Sequence, residues 1–246
     1  MKTIGIITYH HYYNYGTMLQ ALALQEKVEQ LGYQAELIDF KQDNSLSRYE
    51  MLKLRIKRMP VYIKERKKYR ALADSREKIK EKNELFEQFY KTYLHVGKKK
   101  YTTTQQLMEN PPVYDGYVVG SDQTWNLEPS IRYCNEVYYL NFPKKQRRVT
   151  YATSFGQWVE KLPQREDEVL PWIKTYDCLS MREESGVEYL RNKGFECEHV
   201  LDPTLLLDVD EYDKICDAPI MNEPYVLMFS WNCAKEVIEV AKAAAK

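Results

Sequence analysis

Residues 3–40 read TIGIITYHHYYNYGTMLQALALQEKVEQLGYQAELIDF, and the apolar period changes twice along this stretch. Thr3 to Thr8 is a β-branched run of a length suited to one buried strand. A polar, tyrosine-rich loop follows and ends at Gly16. Thr17 with Gln20 three positions later forms a capping box, Met18, Ala21, Leu24, Val28 and Leu31 recur at helical spacing, and Gly32 sits where a left-handed C-cap belongs. Gln34 to Phe40 then returns to strand character. Strand, helix, strand at this spacing is a right-handed βαβ unit, which opens a parallel sheet covered on both faces.

Outward from that unit the pattern first breaks, because residues 48–94 are rich in Lys, Arg, Glu and Tyr with apolar positions at helical spacing and Pro60 as an interruption. This segment is expected to be a helical insertion. Val113 to Gly120 restores the sheet, and Val149 to Phe155, Cys178 to Met181 and Glu198 to Leu201 add strands. Helices over 163–175 and 184–193 separate them, the second closed by Gly194. From Asp217 to Pro224 the chain turns polar, before a strand at Tyr225 to Ser230 and a helix from Ala234. Residues 1–218 are therefore expected to form one α/β domain, and residues 219–246 a linker with the start of a second.

Composition narrows the function classes. The 246 residues are 44% hydrophobic and 29% charged, enough for a sizeable core. Thirty-six Lys/Arg balance thirty-six Asp/Glu, so the chain lacks the overall basic charge of a dedicated nucleic-acid binder. Locally the balance differs: residues 53–70 carry nine Lys/Arg against Glu65, while residues 160–218 carry sixteen acids against seven bases. The basic stretch, with Tyr62 and Tyr69, reads first as a solvated face and second as a contact for anionic membrane lipids. No apolar run matches a signal-peptide core or a bilayer span, which leads to a cytoplasmic expectation. Five cysteines without a C-x-x-C pair read as reduced packing residues.

Ligands of open parallel sheets bind beyond the carboxyl ends of the strands, so chemistry is sought in the loops that follow them. Tyr9 to Gly16 offers Asn14 and Gly16 at a helix start able to meet an anion, the alternative being a solvated turn. The adjacent His10 and His11 lack the i, i+4 spacing of a helical metal pair, and no metal site is expected. Gly120 to Asn126 (GSDQTWN) packs Ser121, Asp122, Gln123, Trp125 and Asn126 into one loop. Asp122 suits a base for a sugar hydroxyl, Gln123 and Asn126 suit other hydroxyls, and Trp125 suits the face of a sugar ring. The alternative is an Asx-type turn with Trp125 packed on the sheet. Ser154 stands at another strand end. Arg182 brings a fork of donors to a strand-to-helix turn, fit for a carboxylate or phosphate or, equally, for a salt bridge to its neighbours.

These stretches together resemble the polysaccharide pyruvyl transferase family. The resemblance is carried by residues 14–25 (NYGTMLQALALQ), 115–126 (DGYVVGSDQTWN), 151–156 (YATSFG), 180–185 (SMREES) and 201–204 (LDPT). It implies two facing Rossmann-like domains of glycosyltransferase-B type, of which this chain would hold the N-terminal one and the first strand and helix of the other. It also implies transfer of the enolpyruvyl group of phosphoenolpyruvate onto two sugar hydroxyls of a cell-surface polysaccharide or its precursor, as a ketal, with no further cofactor. On this reading Arg182 is the anion binder and Asp122 the base, with Asn14, Gly16, Ser121, Gln123, Trp125, Asn126 and Ser154 as substrate contacts. The general acid has no occupant. Two other readings share the fold: a nucleotide-sugar glycosyltransferase and a non-catalytic carbohydrate-binding module.

Overall fold

The computed structural model describes residues 1–41, 59, 76–127, 136–142, 145–217, 221–228 and 234–245. The basic stretch 53–70, Met59 apart, lies outside them. Two compact units divide the chain, Met1–Leu207 and Asp208–Lys246.

The first unit runs β1 (Thr3–Ile7), α1 (Tyr15–Gln30), β2 (Gln34–Leu37), α2 (Arg76–Tyr93), α3 (Thr104–Glu109), β3 (Gly116–Val119), β4 (Arg147–Thr150), α4 (Glu166–Ile173), β5 (Ser180–Met181), α5 (Glu184–Asn192) and β6 (Glu198–His199). Turns of 3-10 helix occupy Glu136–Tyr139, Gly156–Arg165 and Pro203–Leu205. Four strands form a parallel sheet in the order β2-β1-β3-β4, with Ile4 opposite both Ala35 and Gly116 and Val118 opposite Val149. β5 and β6 pair with each other, and single parallel bridges at Val149–Cys178 and Thr153–Met181 join that pair to the β4 side. Beyond β2, bridges at Leu37–Val96 and Phe40–Tyr101 continue the edge. The α/β class and the parallel sheet expected from residues 3–40 are thus present.

Helix α1 is buried on most sides, with Met18, Ala21, Leu22, Ala23, Leu24 and Val28 all covered and Gln20 and Gln25 buried beside them. It lies close to the sheet because Gly120 carries no side chain: a Cβ there would stand 2.9 Å from both Leu24 Cδ2 and Thr8 Cβ. Gly32 ends the helix region at φ 87° and Gly194 follows α5 at φ 83°, both in the left-handed conformation expected. The start differs from expectation. Asn14 is the cap, its Oδ1 accepting from Thr17 N at 3.2 Å, and the helix begins at Tyr15 rather than at Thr17. An asparagine outcompetes a threonine for this role. Gln20 is freed from capping and buried, its amide donating to Tyr9 O at 2.9 Å and to Thr8 Oγ1 at 3.0 Å.

β4 also differs: it ends at Thr150, and the segment expected to continue to Phe155 bends. Ala152 stands at φ 53°, and side chains replace the ladder there. Thr150 and Thr153 hydroxyls donate to Ser180 O at 2.9 and 3.1 Å, and Ala152 N donates to Ser180 Oγ at 3.3 Å.

The core beneath the sheet is aromatic. Tyr9, Tyr101, Tyr117, Tyr138 and Tyr139 are all nearly sealed from solvent with Phe40, Trp125 and Phe155, so much of the tyrosine content packs the interior. Of the expected insertion, the part from Arg76 to Tyr93 is helical. The second unit holds α6 (Val209–Asp213) and α7 (Lys235–Ala244). In α6, Glu211 Oε2 accepts from Asp208 N at 2.6 Å. Residues 225–228 of the strand expected at Tyr225 to Ser230 form no strand, and Ser230 lies outside the described residues.

Candidate functional site

From β1 the chain passes to β2 on one side and later to β3 on the other, so the sheet order reverses between β1 and β3. Their carboxyl ends diverge into different crossovers at that point, and a crevice opens between the loops. A cleft of about 510 Å³ lies there. Tyr9, Tyr12, Asn14 and Gly16 of the β1–α1 loop line it, with Thr17 and Gln20 of α1, Asp122 and Gln123 after β3, Arg182 after β5, and Asp202 and Thr204 after β6.

Asp122 adopts φ 74°, a left-handed conformation that Asp and Asn tolerate better than most residues and that is found at functional sites. Its carboxylate accepts twice, from Thr17 Oγ1 at 3.1 Å and from Gln123 N at 2.8 Å. The second contact comes from the next residue's N–H, one residue short of the Asx-type turn anticipated for this loop, and Thr124 N donates to Asp122 O instead. The Asp122–Thr153 bridge ties the same residue to the loop after β4.

Arg182 is placed by the end of β5. Its Nε donates to Glu183 Oε1 at 2.9 Å, and Nη1 donates to Asp202 Oδ2 at 3.0 Å and Ser121 Oγ at 3.3 Å. Nη2 makes no bond among the described residues. Burial works against its charge, yet Glu183 and Asp202 hold the guanidinium pKa above its ordinary value. Asp202 shows the mirror effect. Burial pushes its carboxyl up, but donors from Thr204 N (3.0 Å), Thr204 Oγ1 (2.9 Å), Ser121 Oγ (2.9 Å) and Arg182 prevail and leave it below the usual range.

The structure brings five of the nine anticipated residues to the cleft wall: Asn14, Gly16, Asp122, Gln123 and Arg182. Ser121, fully buried, lies beneath and braces Arg182 and Asp202. Trp125 is not a sugar platform: it is fully buried, its ring stacked on Tyr139 at 4.9 Å and 7°, and its Nε1 donates to Tyr138 O at 3.1 Å. Asn126 is buried too, with Nδ2 donating to Gln123 Oε1 at 2.9 Å, and acts by holding that cleft residue. Ser154 is sealed in the interior, its Oγ accepting from Gly156 N at 2.9 Å. Ser154 follows the bend that ends β4 early, and Asn126 follows the left-handed turn at Asp122. Missed were Asp202 and Thr204, although the LDPT run that holds them was visible, and Tyr9, Tyr12, Thr17 and Gln20.

Behind the cleft wall a second polar group forms. His10, His11 and Asp39 each direct one donor atom into a space where these atoms lie within 4.8 Å of one another. Their side chains come from the loop after β1 and from the end of β2.

Together these features define an α/β protein whose parallel sheet opens a polar cleft, walled among the described residues by one guanidinium, two carboxylates and several hydroxyls, at its switch point. The chain belongs to the polysaccharide pyruvyl transferase family, whose model matches residues 14–246. Searches of the curated proteins and of the solved structures found no match.

Proposed function

We propose that the chain takes phosphoenolpyruvate as donor and transfers its enolpyruvyl carbon onto two hydroxyls of a sugar in a polysaccharide or its precursor. The observation that carries this reading is the convergence of Arg182 and Asp122 on one cleft at the β1/β3 switch point. Nη2 of Arg182, without a bond among the described residues, offers a donor edge to the carboxylate or phosphate, while Glu183, Asp202 and Ser121 hold the rest of the guanidinium in place. A preorganised cation of this kind stabilises charge that grows on the departing phosphate.

Two sugar oxygens bond to C2 of the donor, the C–O bond to phosphate breaks, and the methylene gains a proton to become a methyl group. One hydroxyl proton balances the methylene and the other leaves with phosphate. Asp122 accepts a hydroxyl proton as general base, with Thr17 Oγ1 and Gln123 N fixing its two oxygens. Gln123, Asn14 and Gly16 contact substrate. The acid that protonates the methylene is not assigned, and no histidine lines the cleft among the described residues. The sheet order, read with the single bridges at its edges, supports a Rossmann-like domain of the glycosyltransferase-B plan.

Calorimetric titration separates this reading from its rivals. Phosphoenolpyruvate should bind the chain, with affinity lost at least about tenfold in Arg182→Gln. Tighter binding of nucleotide sugars, with no response to phosphoenolpyruvate, would identify a glycosyltransferase. Saccharide binding alone would identify a binding module.

A further inference from the structure

His10 is the most constrained histidine in the fold. It is 1% exposed, and its Nδ1 lies 2.8 Å from Thr8 O. A carbonyl only accepts, so Nδ1 carries the hydrogen and Nε2 bears a lone pair. That Nε2 is buried and has no hydrogen-bond partner among the described residues. A buried acceptor left unmet is costly, which calls for a partner. Two more buried atoms face the same space, His11 Nε2 and Asp39 Oδ1. They stand 2.8 Å apart as an ion-pair contact across that space, and Asp39 is only 7% exposed, so His10 Nε2 is the atom left without a partner among the described residues.

We propose that His10, His11 and Asp39 form a binding site for one divalent transition metal ion of the zinc class, set behind the cleft wall. Two imidazole nitrogens and one carboxylate oxygen are the donor set such ions prefer, whereas magnesium and calcium ask for oxygen alone. A backbone carbonyl on the far nitrogen is the usual way a ligating histidine is fixed in tautomer and orientation, and Thr8 supplies it. Bonds of about 2.0–2.1 Å in a tetrahedron put donors about 3.4 Å apart. The three atoms, all within 4.8 Å, need only small side-chain turns to meet that spacing.

The surroundings fit a closed site. Tyr90 of α2 stacks on His10 at 6.1 Å and 13° and leans on His11 at 5.6 Å. The Nδ1–H bond to Thr8 O leaves the Nε2 lone pair of His10 turned toward the space it shares with His11 and Asp39. Lys41 and Lys100 are the cations that act on the group, and the Asp39 carboxylate offsets them. The ion would join the β1–α1 loop to the end of β2. Tyr9 and Tyr12, on either side of the histidine pair in sequence, are cleft residues, so the ion would hold that wall still. Spacing along the chain could not reveal the site, because Asp39 arrives from a different strand.

The site is tested on the whole chain, stripped with a chelator and titrated with zinc and cobalt. Zinc should bind at one ion per chain and raise the thermal midpoint. Cobalt should give the visible ligand-field absorption of a four- or five-coordinate ion. His11→Gln should weaken binding at least about 100-fold and abolish the thermal response, with the far-ultraviolet dichroism unchanged. Asp39→Asn should do the same. The inference falls if zinc does not saturate at one ion per chain, if His11→Gln, folded, binds as tightly as the parent, or if magnesium raises the midpoint as much as zinc.

Discussion

Replacing Asp202 by alanine removes four contacts at once: two to Thr204, one to Ser121 and one to Arg182. Truncating one partner of a fully buried ion pair costs about 3–5 kcal/mol. Here the side chains of Arg182 and Asp202 keep 28% and 25% of their exposure, so water recovers part of that loss. Loss of the cap on the Pro203–Leu205 turn adds about 1 kcal/mol. A net of about 3 kcal/mol is expected, or about 6–12 °C in the thermal midpoint of a chain this long. Asp202→Asn, which keeps shape and one acceptor, should cost less. The pH dependence has a fixed sign. The folded carboxyl lies below its ordinary value, so its contribution is present above the unfolded pKa of about 3.9 and is lost as pH falls through the folded pKa. Urea unfolding followed by tryptophan fluorescence at pH 7 and pH 3 measures both effects. A cost under about 1 kcal/mol for Asp202→Ala at pH 7, or a gap between parent and Asp202→Asn that does not narrow at pH 3, would show that Asp202 does not anchor this corner of the fold.

Trp125→Ala should cost about 3–5 kcal/mol of unfolding free energy, since it empties a fully buried site stacked on Tyr139. The milder Trp125→Phe should leave saccharide affinity within about twofold, and a larger loss would restore the indole to the cleft. Gly120→Ala should cost about 1–3 kcal/mol, because the new methyl meets Leu24 and Thr8 at 2.9 Å, and denaturation midpoints check this. Asp122→Asn preserves the left-handed backbone, so it should leave the thermal midpoint nearly unchanged while cutting acceptor-dependent phosphate release at least about 100-fold.

Residues 3–40 were legible because two buried strands and a buried helix impose different apolar periods on the chain. The β1 and β3 loops follow from that unit, and Asn14, Asp122 and Gln123 with them. The place of Arg182 at a strand-to-helix turn was legible, and the salt bridge to a neighbour that the sequence equally allowed does form, with Glu183. Trp125 and Ser154 misled for a common reason. A side chain that follows a strand faces solvent or core according to the next backbone torsions, and Ala152 and Asp122 both enter the left-handed region here. No period in the sequence announces such a turn for a residue other than glycine. Asp202 and Asp39 were missed because their partners lie at the ends of other strands, where only the sheet order brings them near.

The family and the fold leave one claim to be met directly, that the donor sits on Arg182 in the cleft at the β1/β3 switch point. A crystal structure of the chain with phosphoenolpyruvate bound tests it. The carboxylate or phosphate of the donor should lie about 2.7–2.9 Å from the Arg182 guanidinium, in the cleft that Asp122 also lines. Phosphoenolpyruvate bound elsewhere, with Arg182 still held only by Glu183, Asp202 and Ser121, would contradict it.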